Sequence, residues 1–119
     1  MKAFAENRGR DILGRSLDPA TAAEIIDLMA DVPEAGYLAA WNMMCAANIY
    51  DDLSFVRCPA LVIGGADDPV APETVCRAIA NRLSGAIVEL LDGVGHFASL
   101  EAPHRLNALL DGFLSKDHK

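Results

Sequence analysis

The stretch Cys58-Pro-Ala-Leu-Val-Ile-Gly-Gly-Ala-Asp-Asp-Pro-Val-Ala-Pro72 constrains this chain more than any other. An aliphatic run over residues 60–63 closes on a glycine pair, the pattern of a short buried strand that stops abruptly. Two carboxylates, Asp67 and Asp68, follow at once. They fall at the carboxyl end of that strand, where open parallel α/β sheets place ligands and chemistry. Pro72 and Glu73 then open a helix, proline being suited to a first helical turn because its missing N–H has no partner there anyway. The stretch reads as strand, acidic turn, helix.

The same pattern returns once. The spacing predicts a helix over residues 73–83, with Val75, Ile79, Ala80 and Leu83 inward, stopped by Ser84-Gly85. A second strand over residues 86–91 ends in the turn Asp92-Gly-Val-Gly-His96. A final helix over residues 103–114 carries Leu106, Leu109, Leu110 and Phe113 on one face, and a polar tail over 115–119 is expected to fray. Two strands separated by a helix of this length imply a right-handed parallel crossover.

Upstream the pattern is helical. Residues 1–17 are polar and irregular apart from a short helix near residues 2–7. Asp18 as N-cap with Pro19 behind it starts a helix whose apolar face is Ala22, Ile25, Ile26, Leu28 and Met29, ended at Val32-Pro33. A third helix over residues 34–49 aligns Tyr37, Leu38, Trp41, Met44, Cys45 and Asn48, a face read first as core packing.

Composition narrows the function classes. With 10 basic and 17 acidic residues the net charge is −7, which argues against nucleic acid or an anionic membrane as partner. No apolar run is long enough to span a bilayer, and the first residues lack a signal-peptide core. Cys45, Cys58 and Cys76 are odd in number and not spaced as metal ligands. Buried free thiols in a reducing cytoplasm are expected, with no metal and no cofactor.

The chemistry lies at the two strand ends. In a parallel pair both ends open on the same side, with strands about 4.8 Å apart. The acid after the first strand and His96 after the second can therefore meet. A carboxylate that accepts from imidazole fixes its tautomer and stabilises the cation formed in proton transfer. The opposite ring nitrogen is left to deprotonate a nucleophile. His104 and His118 have no such setting and are expected to be solvated.

Leu-Val-Ile-Gly-Gly-Ala-Asp-Asp-Pro-Val-Ala-Pro followed by Gly-Val-Gly-His-Phe-Ala-Ser-Leu-Glu-Ala-Pro resembles the C-terminal part of an α/β-hydrolase, of the lactonase, esterase and non-haem haloperoxidase kind. Residues 58–114 carry the resemblance. It implies Asp68 as triad acid, His96 as triad base and Asp67 as a non-catalytic neighbour. The fold class it implies is α/β: an incomplete α/β-hydrolase fold of two parallel strands with a crossover helix, behind an N-terminal helical cap-like segment. Residues 1–57 would form cap and linker, and residues 58–119 the βαβα part. Trp41, Met43 and Met44 would then be placed to line an acyl pocket, Trp41 and Met44 as its substrate-binding residues.

The family's nucleophile sits on Gly-x-Ser-x-Gly, at a tight strand-to-helix turn. No such motif occurs here. The nearest, Gly14-Arg-Ser-Leu-Asp18, lacks the second glycine and a preceding strand, so Ser16 reads as a loop serine. The expectation is a hydrolase part that cleaves a small ester or lactone only when an N-terminal half completes it. The alternative is a non-catalytic remnant that self-associates, as a homodimer through its open strand edge or its cap helices. A free-standing βαβ binding module is less favoured, because no glycine-rich phosphate loop precedes a helix.

Overall fold

The computed structural model describes residues 1–116. The polar tail predicted to fray, with His118, lies partly outside those residues. The element order is α1 (Lys2–Ile12), α2 (Pro19–Ala30), α3 (Glu34–Ala46), a one-turn 3-10 helix (Asp52–Phe55), β1 (Leu61–Gly65), α4 (Glu73–Ala80), β2 (Ile87–Leu91), α5 (Ala98–Glu101) and α6 (Pro103–Leu114).

The two strands pair in parallel, from Leu61 opposite Ile87 to Gly65 opposite Leu91. Among the described residues they form the whole sheet. Helix α4 connects them, packing Cys76 and Ala80 inward. Val75 was expected inward but is exposed, and the helix stops at Ala80, three residues short of the expected end. Arg82 reaches back to the linker, where its guanidinium lies over the Tyr50 ring and bonds Asp51 at 3.0 Å.

The glycine pair forms the last two residues of β1, which ends on it as expected. A Cβ on Gly65 would overlap the carbonyl oxygens of Val94 and Gly95. The pair thus lets the turn after β2 press directly on β1. Strand β1 is not, however, a buried strand: Leu61, Val62 and Ile63 are only half-buried. A central strand gains burial from neighbours on both sides, and among the described residues β1 has one.

The N-terminal segment is more regular than expected, since α1 runs to Ile12 and buries Ala5, Gly9 and Ile12. Gly9 lies inside α1. It is a contact point, because a Cβ there would sit 2.6 Å from Cγ1 of Ile26 on α2. Helix α2 starts as predicted: Asp18 accepts from Ala20 N and Thr21 N, each at 3.0 Å. Its N-terminal amides are thereby satisfied.

Helix α3 departs most from expectation. It ends at Ala46, and none of its residues is buried. Trp41 is 51% exposed and Met44 61%, so the core-packing reading of this face is overturned. Cys45 and Cys58 are exposed too, and only Cys76 is the buried thiol expected. Helix α6 keeps its predicted span, but Leu110 of its apolar face is exposed. Among the described residues no large side chain is fully buried.

The shape agrees with this thin core. A compact domain of 119 residues has a radius of gyration of about 13.5 Å, whereas this chain measures 15.9 Å.

Gly65→Ala is expected to lower stability by at least about 2 kcal/mol, since backbone atoms cannot yield to the added methyl. Gly112→Ala, on an exposed turn of α6 with open space around it, should raise stability by about 0.5–1 kcal/mol. Urea unfolding of the two variants measures both.

Candidate active site

The turns after β1 and β2 interlock through their backbones. Ala66 N donates to Leu91 O at 3.0 Å, and Asp67 N to Val94 O at 2.9 Å. Gly14, from the loop after α1, packs on the same turn, and a Cβ there would sit 2.7 Å from Gly95 N. Side chains on the two turns are thus set close together, within a region where backbone positions are fixed by direct contact.

Asp68 is 7% exposed, the one buried charged residue among those described. Its Oδ1 accepts from Val70 N at 2.7 Å and Ala71 N at 3.1 Å, curling the chain toward Pro72 and the start of α4. Its Oδ2 lies 2.9 Å from His96 Nδ1, across 28 residues of sequence. Burial by itself would raise the carboxyl pKa. The hydrogen bonds from His96, Ala71 and Val70, with the charge of His96, outweigh it and hold the group below its ordinary value of 3.8. An ionised carboxylate only accepts, so Nδ1 carries a proton, and in the neutral form of the ring Nε2 then holds the lone pair.

His96 N donates to Ile12 O at 2.8 Å, so the histidine turn is seated on the C-terminal end of α1. This also satisfies a carbonyl that the helix end leaves unpaired. The ring meets Phe97 edge to face, with centroids 5.6 Å apart. The His96 side chain is 36% exposed, and Nε2 makes no hydrogen bond among the described residues. His96 lines a cavity of about 240 Å³ whose walls include Phe4, Arg8, Trp41, Met44 and Val70. The structure therefore brings Asp68 and His96 together, and places Trp41 and Met44 on the walls of the cavity that His96 faces. Met43 is exposed and is not among the residues lining it.

Asp67 turns away from the imidazole. It accepts from Arg15 N at 3.0 Å and pairs with the Arg15 guanidinium, which also bonds Asp92 at 2.6 Å. Ser16 lies in the loop beside Gly93 and is exposed, as a loop serine should be. His104 is exposed on α6.

Sequence reasoning did not find two residues. Arg15 sits in a short glycine-flanked loop with no periodicity to mark it. Glu101 accepts three backbone amides around the histidine turn, from Gly14 at 2.8 Å, Gly95 at 2.8 Å and Phe97 at 3.0 Å. Its only signal was an acid shortly after Gly-His-Phe.

No protein-family profile matches the chain. A Caulobacter sp. (strain K31) protein assigned as the carbamate hydrolase RutD is 38% identical over 68 residues, 57% of this chain and 25% of that protein. The 3-oxoadipate enol-lactonase 1 of Acinetobacter baylyi is 27% identical over 93 residues, 78% of this chain and 35% of that enzyme. Among solved structures, the enol-lactonase of Burkholderia xenovorans LB400 superposes with a TM-score of 0.87 at 24% identity, covering 98% of this chain and 45% of its own. The chain carries part of an α/β-hydrolase fold. It spans a quarter to about a third of the length of these two curated relatives.

The lowered carboxyl pKa fixes a pH dependence. A group whose pKa is lower folded than unfolded stabilises the fold above its unfolded value, and that stability is lost as pH falls through the folded value. For Asp68 the loss begins below about 4. Asp68→Asn should lower stability at pH 7 by about 1–3 kcal/mol, and should lessen the further loss between pH 5 and 2. Urea midpoints across that range measure it. An acid limb as steep as that of the unaltered chain would contradict the assignment.

Proposed function

We propose that this chain supplies the acid and the histidine of a Ser-His-Asp triad for ester or lactone hydrolysis, the nucleophile coming from outside these 119 residues. The observation that carries the reading is the 2.9 Å contact from Asp68 Oδ2 to His96 Nδ1, at the wall of a cavity that His96 lines. The kinship with ester- and lactone-hydrolysing enzymes supports it.

In this reading a nucleophilic hydroxyl attacks the carbonyl carbon while His96 Nε2 takes its proton. As the tetrahedral intermediate collapses, the bond from carbonyl carbon to leaving oxygen breaks, and that oxygen takes the proton from Nε2. Water then repeats both steps on the acyl group and regenerates the hydroxyl. Asp68 stays ionised throughout, holding the ring in orientation and stabilising the imidazolium. Trp41 and Met44 form walls for the acyl portion. The three cysteines are unpaired thiols, which suits residence in a reducing cytoplasm.

Surface area supports the need for a completing partner. A monomer of 12.7 kDa is expected to expose about 6,200 Å², whereas this chain exposes 7987 Å². The excess, roughly 1,700 Å², is about twice the roughly 800 Å² that each partner buries in a standard interface. Either a hydrolase N-terminal half or a second copy of this chain can cover it. The second copy is the alternative reading, in which the protein is a self-associating, non-catalytic domain.

One experiment separates the two. An activated ester such as p-nitrophenyl acetate is offered to the chain alone, then with an N-terminal half bearing Gly-x-Ser-x-Gly, with mass followed by light scattering. The proposal expects no saturable turnover alone, and turnover in the mixture that His96→Ala removes. Turnover by the chain alone that His96→Ala abolishes would show that the nucleophile lies within it. An inactive dimer in both settings would favour the alternative.

A further inference from the structure

We propose that Glu101 is a positioning residue for His96, an inference that rests on the triad reading above. Its carboxylate is shared among three backbone amides from two chain segments. Oε2 accepts from Gly14 N and Gly95 N, both at 2.8 Å, and Oε1 accepts from Phe97 N at 3.0 Å. Gly95 and Phe97 flank His96, whose own amide is held by Ile12 O at 2.8 Å. Three successive amides across the histidine thus have fixed acceptors, two of them on one carboxylate.

The chemistry suits a rigid clamp. Hydrogen bonds to an ionised acceptor are stronger than neutral ones, and a carboxylate has lone pairs for all three. Glu101 is half-buried at the end of the short helix α5, so its backbone is placed by the same turn that its side chain fastens. The third amide extends the effect. Gly14 precedes Arg15, which pairs with Asp67, the neighbour of Asp68. One carboxylate therefore secures the histidine turn and the loop that braces the acid turn. The bond it protects is intolerant, because displacing the imidazole by an ångström takes 2.9 Å outside hydrogen-bonding range. Glu101 does not line the cavity that His96 faces, so it acts through His96 and not on substrate.

The readout is the imidazole of His96, followed by long-range proton–nitrogen correlation in the full chain and assigned with His96→Gln. In the unaltered chain the ring should show the Nδ1–H tautomer, with a downfield, slowly exchanging ring proton. Glu101→Ala and the near-isosteric Glu101→Gln should keep their helical circular dichroism. Both should speed exchange of that proton by about tenfold or more, as loss of a charge-assisted hydrogen bond implies, with a mixed tautomer pattern. Leu109→Ala, which loosens packing of α6 away from the site, should leave the His96 signals in place. If Glu101→Ala does not fold, Glu101→Gln carries the comparison. Unchanged exchange and tautomer in a folded Glu101 variant would overturn the proposal, as would an equal change in Leu109→Ala. Absence of the protected proton in the unaltered chain would instead strike the pairing of Asp68 with His96.

Discussion

Direct backbone contact between the turns that follow two parallel strands is the constraint on which the rest of the site depends. Side-chain packing tolerates small shifts, because rotamers adjust. Backbone against backbone does not, and Gly65, Gly95 and Gly14 meet where any Cβ would collide with main-chain atoms. The parallel register then decides what faces what. Gly65 lies opposite Leu91, so the residues just beyond each strand emerge on the same side. Asp68 and His96 are the side chains that meet there, at 2.9 Å. Their hydrogen bond is a consequence of where the chain is forced to run.

The same geometry explains the uneven burial. Around the strand ends Asp68, Val94 and Leu91 are buried, while Leu38, Trp41, Met43 and Met44 on α3 lie open. An apolar helix face with no partner is costly in water, and large exposed apolar patches on soluble proteins mark surfaces that meet something else. In this chain such surface lies on α3, whose Trp41 and Met44 border the cavity at His96. A ligand or a partner approaching there would meet an aromatic and thioether wall beside a single imidazole.

Much of this was legible in the sequence, because the informative positions are governed by local rules. Strand periodicity, the Pro72 helix start and the Asp18 cap each act over a few residues, and all three appear in the fold. The pairing of Asp68 with His96 was legible because parallel topology converts two similar strand–turn segments into neighbours. What stayed hidden depends on long-range contact. Gly9 looks like a weak helix position until Ile26 is seen against it. Glu101 is an ordinary acid until three amides from two segments converge on it. The exposure of α3 was missed for the converse reason: an amphipathic pattern reports that a face is apolar, not that anything covers it.

The central claim is that Asp68 and His96 act as one coupled unit, and a double-mutant cycle on folding stability tests it most directly. Asp68→Asn, His96→Gln and the double variant would be unfolded in urea at neutral pH. The account predicts a coupling energy of about 1 kcal/mol or more, as for directly hydrogen-bonded partners. Single-variant losses that simply add, leaving no coupling beyond error, would contradict it.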